Sequence, residues 1–371
     1  MKPSLVAPFL AALTVACGGS ADVPDAPGVD GGNPPTGGLQ PGEAGTGHLA
    51  YLVAPSRQLE IMNLTTGRVA YRSGDEEGEV QRFFLSADGS TAIFQTAANP
   101  CTRVRLPAAT TSSCAPEGLV LPYPIGLSND GSRIAFTGLR VSGGSGAGQA
   151  VATVLEGATL TDLASGDTDT VLTGGGAVSP TGDAVYTFAR DPSVGENPPL
   201  SLTRHRASGV PETLFDFAAG VRAFNIVDVV LQLSEDGTRG VFPCADPAQS
   251  VAAERIAVCS VDLQTGAVVR YANAVGSLSL DGSAVIIEPW IGEGFRVYPF
   301  GSTTPSATVM NPGGGGTPTL SPDASRIAFR VRTEDALRVA ATQPVAGGTT
   351  VLVQQNGEGG PPGASELRWR R

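Results

Sequence analysis

Six copies of one short sequence recur along the chain at a nearly regular interval. Each copy places two short apolar runs on either side of a Ser-x-Asp-Gly or closely related sequence, as in IGLSNDGSRIAF. Successive copies are 42, 51, 55, 45 and 42 residues apart, counted between their shared serines. A period of this size, with no helical pattern between the copies, is typical of repeat proteins whose unit is one four-stranded sheet. The shared serines are Ser86, Ser128, Ser179, Ser234, Ser279 and Ser321.

Each copy predicts a β-hairpin. In the second copy, Asp130 can accept hydrogen bonds from its own backbone, and Gly131 adopts a positive φ without steric cost. Two copies depart from this pattern, because Thr181 replaces Asp in the third and Ala324 replaces Gly in the sixth. We expect these two turns to be looser, with the period unchanged.

A second pair of apolar segments lies between successive copies. Each pair surrounds Thr-Gly, Ser-Gly or Gly-Gly, as in LEIMNLTTGRVAYRSG, TLTDLASGDTDTVLTGG and LTRHRASGVPETLFDF. These small residues inside apolar runs indicate a second hairpin. Each unit is therefore predicted to contain a strand, an Asp-Gly turn, a strand, a longer loop, a strand, a tight turn and a strand.

The two chain ends together complete one more unit. Residues 48–74 read as three strands without a preceding Asp-Gly copy, and the C-terminal SELRWRR reads as a single strand. The sequence thus predicts an all-β fold over residues 48–371: a seven-bladed β-propeller of four-stranded blades, its first blade closed by the C-terminal strand. The alternative of six blades would leave an unpaired sheet edge at each end, which natural sheets avoid.

The repeated LSxDGxxIAF pattern resembles the repeats of TolB-like propellers, which also occur in relatives of prolyl oligopeptidase. The resemblance covers residues 48–371 and implies the propeller fold. It implies little about function, since such propellers have many roles.

The N-terminus predicts export. Lys2 is followed by an apolar run from Leu5 to Val15, too short to span a bilayer, which indicates a signal peptide over residues 1–16. LTVAC resembles a bacterial lipobox, which implies that Cys17 is lipidated, and Gly18 after it implies the outer membrane. Residues 17–47 are rich in Gly, Pro and Asp and predict a flexible tether. The alternative is an ordinary signal peptide with an incidental cysteine.

The chain has 5 cysteines, an odd number that is accounted for if Cys17 carries lipid. The other four form two local pairs, and we expect Cys101 to bond with Cys114 and Cys244 with Cys259, since neither bond then crosses between blades. The alternative is four free buried thiols.

Composition and motifs argue against several functions. The formal net charge is -11, which argues against nucleic acid as a partner. Lys2 is the only lysine, so neither a phosphate-binding loop nor a Schiff-base lysine is expected downstream. We predict no cofactor and no metal, because the innermost strands contain only one acidic residue, Glu366. Arg368, Arg370 and Arg371 are interpreted as a solvated strand end.

These observations favour a non-catalytic, envelope-anchored binding scaffold whose partner is a protein or another envelope component. The alternative is a metal-dependent propeller hydrolase or lactonase. Long loops on one side of a rigid scaffold are common binding sites. We expect the second-to-third-strand loops to form the partner surface, with Arg190, Asp191, Trp290 and Glu293 as contacts. The loops span 138–158, 189–200, 244–255 and 289–294.

Overall fold

One antiparallel sheet of four strands is repeated seven times around a central channel. The structure is a computed structural model. It describes residues 44–53, 56–141, 148–169, 171, 174–194, 198–223, 229–245, 256–289, 294–309, 318–331, 336–342, 350–354 and 367–371. The predicted all-β, seven-bladed propeller is confirmed.

The strands follow the chain in blade order. The first blade begins with β1 (His48–Val53), β2 (Gln58–Asn63) and β3 (Arg68–Arg72). The second contains β4 (Val80–Leu85), β5 (Thr91–Thr96), β6 (Thr102–Arg105) and β7 (Thr110–Ser113), and the third β8 (Val120–Leu127), β9 (Arg133–Val141), β10 (Gly148–Glu156) and β11 (Thr159–Gly166). The fourth contains β12 (Ala177–Val178), β13 (Ala184–Arg190), β14 (Leu200–Arg206) and β15 (Glu212–Phe215).

The remaining blades continue in the same order. The fifth contains β16 (Gln232–Leu233), β17 (Arg239–Ala245), β18 (Ile256–Asp262) and β19 (Val268–Ala272), and the sixth β20 (Ala274–Leu278), β21 (Ala284–Pro289), β22 (Phe295–Pro299) and β23 (Ala307–Val309). The seventh contains β24 (Thr319–Leu320), β25 (Arg326–Val331), β26 (Ala336–Ala341) and β27 (Thr350–Gln354), and the chain ends with β28 (Leu367–Arg370). The described helices are two short 3-10 turns, Asp75–Glu77 and Phe217–Ala219, and no described helix is long and apolar enough to cross a membrane.

The last strand closes the ring. β28 pairs antiparallel with β1, with Leu49 opposite Trp369, and becomes the innermost strand of the first blade. Trp369 is 1% exposed, packs among Leu49, Met62 and Ala328, and donates its indole N–H to the carbonyl of Thr46 at 2.9 Å. The C-terminus therefore joins the first and seventh blades through buried apolar contacts.

The repeated serine and aspartate form the same hydrogen bonds in each hairpin. Ser128 Oγ donates to Asp130 Oδ1 at 2.7 Å and accepts from the backbone N–H of Arg133 at 3.0 Å. The other five serines also bond a nearby Asp and the backbone N–H five residues on. The side chains thus stabilise the turn between the first and second strands of the blade.

The two divergent turns are not looser, contrary to expectation. In the third copy, Asp183 accepts from both Ser179 and Thr181, at 2.7 and 2.6 Å, and replaces the missing carboxylate. In the sixth, Ala324 adopts φ of +58°, and its N–H donates to Ser321 O at 2.9 Å, the same distance as between Gly131 and Ser128. The surrounding hairpins therefore impose the turn even where the local sequence does not favour it.

The same turns connect neighbouring blades. Backbone N–H groups of Asp88, Asn129 and Asp281 donate to carbonyls in the next blade, at 2.7 to 3.1 Å. Pro180 has no N–H to donate in the corresponding position of the fourth blade. The fifth-blade carbonyl of Glu235 instead accepts from the Asn129 side chain at 2.8 Å. These bonds link the blades along one rim, which we call the turn rim.

The third blade differs from the sequence prediction. β9 and β10 run through most of the segment predicted as a loop over 138–158, and residues 142–147 between them lie outside the described part. The turn before β11 is at Gly157 and Ala158, whereas the predicted Ser-Gly turn at 165–166 lies within β11. The long ladder between β9 and β10 explains the difference, because pairing over nine residues outweighs a local turn signal.

Replacing Trp369 tests the role of the C-terminal strand. Trp369→Ala should lower the free energy of unfolding by about 3 to 5 kcal/mol, because it removes a fully buried aromatic side chain. Urea denaturation followed by circular dichroism measures this loss. The exposed Val210→Ala is the control and should change stability by less than about 0.5 kcal/mol. An equal response of both variants would contradict closure by β28.

The turn aspartates predict a pH dependence of stability. Hydrogen bonds from the Ser132 backbone and the Ser128 hydroxyl lower the pKa of Asp130 in the folded state. Stability from a lowered carboxyl pKa is present above the unfolded pKa, about 3.9, and is lost as the pH falls through the folded pKa. Asp130→Asn should therefore cost about 1 kcal/mol or less at pH 7, with a smaller difference near pH 3. Urea midpoints that differ equally at both pH values would contradict this assignment.

Candidate functional site

The loops between second and third strands, and the connections between blades, share the face opposite the turn rim. We call this face the loop rim. The first strand of each blade begins at the loop rim and ends at the turn rim, because the strands alternate in direction. The strands that follow the predicted loops 189–200, 244–255 and 289–294 are β14, β18 and β22, which begin at Leu200, Ile256 and Phe295. Residues 195–197, 246–255 and 290–293 of these loops lie outside the described part.

Two of the four predicted contact residues are described, and both organise the loop rim. The Arg190 guanidinium forms an ion pair with the Asp169 carboxylate, with Nε and Oδ1 2.5 Å apart. The backbone N–H of Arg190 also donates to the backbone carbonyl of Asp169 at 2.9 Å. The Asp191 carboxylate accepts from the hydroxyl and N–H of Ser193, which lower its pKa. These bonds fix the connection after the third blade against the loop of the fourth. Trp290 and Glu293 lie outside the described residues.

A connecting segment joins the fourth and fifth blades at the same rim. Arg222 forms isolated β-bridges with Pro199 at the start of β14 and with Ala245 at the end of β17. The N–H of Ala245 donates to the Arg222 carbonyl at 3.0 Å. Main-chain hydrogen bonds therefore hold this part of the loop rim in a fixed arrangement.

An exposed apolar patch lies on the loop rim of the third blade. We define the patch as Val120, Leu121 and Val141, which are 47%, 59% and 51% exposed. Leu121 lies in a register irregularity between β8 and β9 and has a positive φ of 51°. A positive φ is unusual for a leucine. Register irregularities such as β-bulges often redirect side chains at functional sites. Sequence analysis missed this patch, because apolar periodicity does not show where a bulge turns a side chain outward.

Arginines line the central channel near its C-terminal strand. Leu367 and Trp369 of β28 are buried between blades, so the alternation of a strand places Arg368 and Arg370 on the channel face. Arg368 and Arg370 line a cavity of about 70 Å³ near the turn rim. Arg368 also lines a second cavity of about 250 Å³, which shares Val230 and Gln232 with the first. The prediction of a solvated strand end is wrong for Arg370, because burial against the second blade removes most of its side chain from solvent, while Arg368 is half-buried on the channel face.

The two channel arginines differ in their contacts. Arg370 donates to the carbonyls of Leu85 and Trp369, at 3.4 and 3.1 Å. Burial, and then the positive charge of Arg368, lower the pKa of Arg370 to about 10, so it remains charged at neutral pH. Arg371 does behave as an exposed chain end, and it pairs with Glu235 at 2.5 Å on the turn rim.

Both histidines of the propeller contact other groups of the chain. His48 contacts Asn63 and the Arg371 carbonyl, and His205 contacts the hydroxyl of Thr187 at 2.9 Å. Burial lowers the pKa of His205. Within the described residues, no three His, Cys, Asp or Glu side chains are grouped to hold a metal ion. Glu366 lies outside the described residues.

The four propeller cysteines form the two predicted pairs. Cys101 and Cys114 flank the hairpin of β6 and β7, with Cα atoms 5.0 Å apart. Cys244 of β17 bonds with Cys259 of β18, with Cα atoms 5.9 Å apart. Both bonds stay within one blade, so they strengthen individual sheets and do not connect blades. Cys17, the predicted lipidation site, lies outside the described residues.

No protein-family model matches the chain, and no curated protein matches it. Solved structures do match. An oligogalacturonate lyase in complex with manganese is 14% identical, with a TM-score of 0.53, over 77% of this chain and 83% of that chain. The β-propeller domain of the Trilobed protease from Pyrococcus furiosus, which has an open velcro topology, is 10% identical, with a TM-score of 0.51, over 84% and 97%.

A TolB-like protein from Agrobacterium tumefaciens also matches, at 14% identity and a TM-score of 0.42, over 83% of this chain and 88% of that chain. This likeness is too loose to argue from. The others show the propeller fold alone, because their identities are low. The fold implied by the TolB-like repeats is thus confirmed, while activity must be inferred from the surfaces of this chain.

Proposed function

We propose that this protein is a non-catalytic binding scaffold whose loop rim docks a protein partner in the bacterial cell envelope. The observation that carries the proposal is the apolar patch of Val120, Leu121 and Val141. An exposed apolar patch bordered by charged groups is typical of a protein interaction site. The ion pair between Arg140 and Asp162, at 2.6 Å, lies next to Val141 in the same blade.

Preorganisation supports this assignment. Docking onto loops that are already fixed costs less conformational entropy than docking onto loops that must become ordered on binding. The Arg190–Asp169 pair and the Arg222 bridges hold the neighbouring connections of the third, fourth and fifth blades in place. Arg190 and Asp191 then act by shaping the surface as well as by contacting the partner. Trp290 and Glu293 stay predicted contacts from the sequence, outside the described residues.

In vivo photocrosslinking tests the location of the partner surface. A photoreactive phenylalanine analogue placed at position 121 or 141 should yield a crosslinked adduct of higher mass, since these side chains would contact the partner. The same analogue at position 210 is the matched control, because Val210 is 90% exposed but lies in a hairpin turn on the turn rim. Adducts at 210 and none at 121 or 141 would place the partner on the opposite face.

A charge introduced within the patch should weaken binding of the partner. Leu121→Asp should weaken co-precipitation of the crosslinked protein by about tenfold or more, because the interface would bury an unpaired carboxylate. Val210→Asp should leave it unchanged. Circular dichroism establishes that both variants are folded.

The anchoring part of the proposal rests on the sequence. LTVAC, followed by a Gly-, Pro- and Asp-rich segment that the sequence predicts to be a tether, supports lipidation at Cys17 and residence in the outer membrane. A tether of this kind would let the loop rim reach an envelope partner without a fixed orientation.

Metabolic labelling with a lipid precursor tests the anchor. The wild-type chain should incorporate label and fractionate with the outer membrane, and Cys17→Ala should do neither. Cys17→Ser gives a second variant that preserves side-chain size. Equal labelling of all three chains, or wild-type protein in the soluble fraction, would refute anchoring at Cys17.

A further inference from the structure

The central channel carries positive charge in a protein that is strongly acidic overall. The net charge of the chain is -11, but the described residues that line the two channel cavities include no Asp or Glu. Arg368 and Arg370 contribute guanidinium groups to the same wall. Both side chains line the same cavity, and the charge of Arg368 lowers the pKa of Arg370, so the two charges lie close together.

Neither arginine has an acidic partner in the described part of the chain. Arg368 makes no hydrogen bond or ion pair there, and the two bonds of Arg370 are to neutral carbonyls. Two like charges on one partly buried wall repel each other and lose part of their hydration, which is unfavourable unless a counterion is bound. By contrast, the exposed Arg371 and the half-buried Arg140 and Arg204 all pair with carboxylates.

A further donor faces the same space. Gln232 lines both cavities, and its side-chain oxygen accepts from the N–H of Leu278 at 3.4 Å. Its amide nitrogen makes no hydrogen bond within the described chain, so its N–H groups remain available as donors. Arg368, Arg370 and Gln232 thus present N–H donors from the first and fifth blades to adjoining cavities.

We propose that the channel binds a small oxyanion, a phosphate or a carboxylate, between Arg368 and Arg370, with Gln232 as an additional donor. Guanidinium groups bind both oxyanions through charge-assisted, bidentate hydrogen bonds. The larger cavity, about 250 Å³, leaves room for the rest of a small metabolite that carries the anionic group. The proposal is independent of a partner on the loop rim, because it concerns side chains inside the ring.

Calorimetric titration of the full-length protein with inorganic phosphate, and separately with succinate, tests the site. Arg368→Gln is the main variant, since its side chain makes no hydrogen bond or ion pair within the described chain. It should weaken binding by about 10- to 100-fold, the usual effect of losing a charged hydrogen bond. Arg68→Gln is the matched control, because Arg68 is an exposed arginine on the outer strand of the same blade.

Two further variants separate the role of charge from that of geometry. Arg368→Lys should retain part of the affinity, because it keeps the charge but loses the bidentate donors. Gln232→Leu should weaken binding without changing the number of charges. Tighter binding of succinate than of phosphate assigns the site to carboxylates, and the reverse order assigns it to phosphates; either result supports the proposal. No binding by the wild type, or equal binding by Arg368→Gln and Arg68→Gln, overturns it.

Discussion

The Ser-x-Asp-Gly turn is the interaction on which the propeller depends, because it stabilises each blade and connects it to its neighbour. Ser128 and Asp130 satisfy the backbone of the turn, while the N–H of Asn129 bonds to the fourth blade. Glycine is favoured at position 131 for two reasons. Its φ is +66°, and a Cβ at this position would clash with Thr91 of the second blade. One short sequence therefore determines both the hairpin and the spacing between blades, which explains why it is repeated so closely.

Closure by β28 creates the channel site. Without the last strand, the first blade would expose the edge of β1, and the ring would be open between the seventh and first blades. With it, Trp369 completes the core, and the alternating arginines line the channel. The loop rim depends on closure less directly, since its fixed connections join the third, fourth and fifth blades on another part of the ring.

The fold could be predicted from the sequence because its determinants are local. Each turn is encoded within a few residues, and the repeat period then leaves little choice of architecture. Local signals failed where pairing over a longer range dominated: β9 and β10 form a nine-residue ladder that moves the turn to Gly157 and Ala158. The compensation by Asp183 in the third copy also escaped prediction, because the carboxylate there comes from after the turn.

The sites could be predicted only in part, since they depend on side-chain direction after closure. The sequence places Arg190 and Asp191 in a predicted partner loop, but it does not show their hydrogen bonds to Asp169 and Ser193. The channel arginines did leave a signal, because LRWR alternates apolar and basic residues and so places both charges on one face. The sequence alone predicts a solvated strand end, because alternation does not show whether the polar face of a strand meets bulk solvent or a channel. In a closed ring the polar face of the innermost strand is directed at the channel, and the same alternation that buries Trp369 then concentrates positive charge at the proposed anion site.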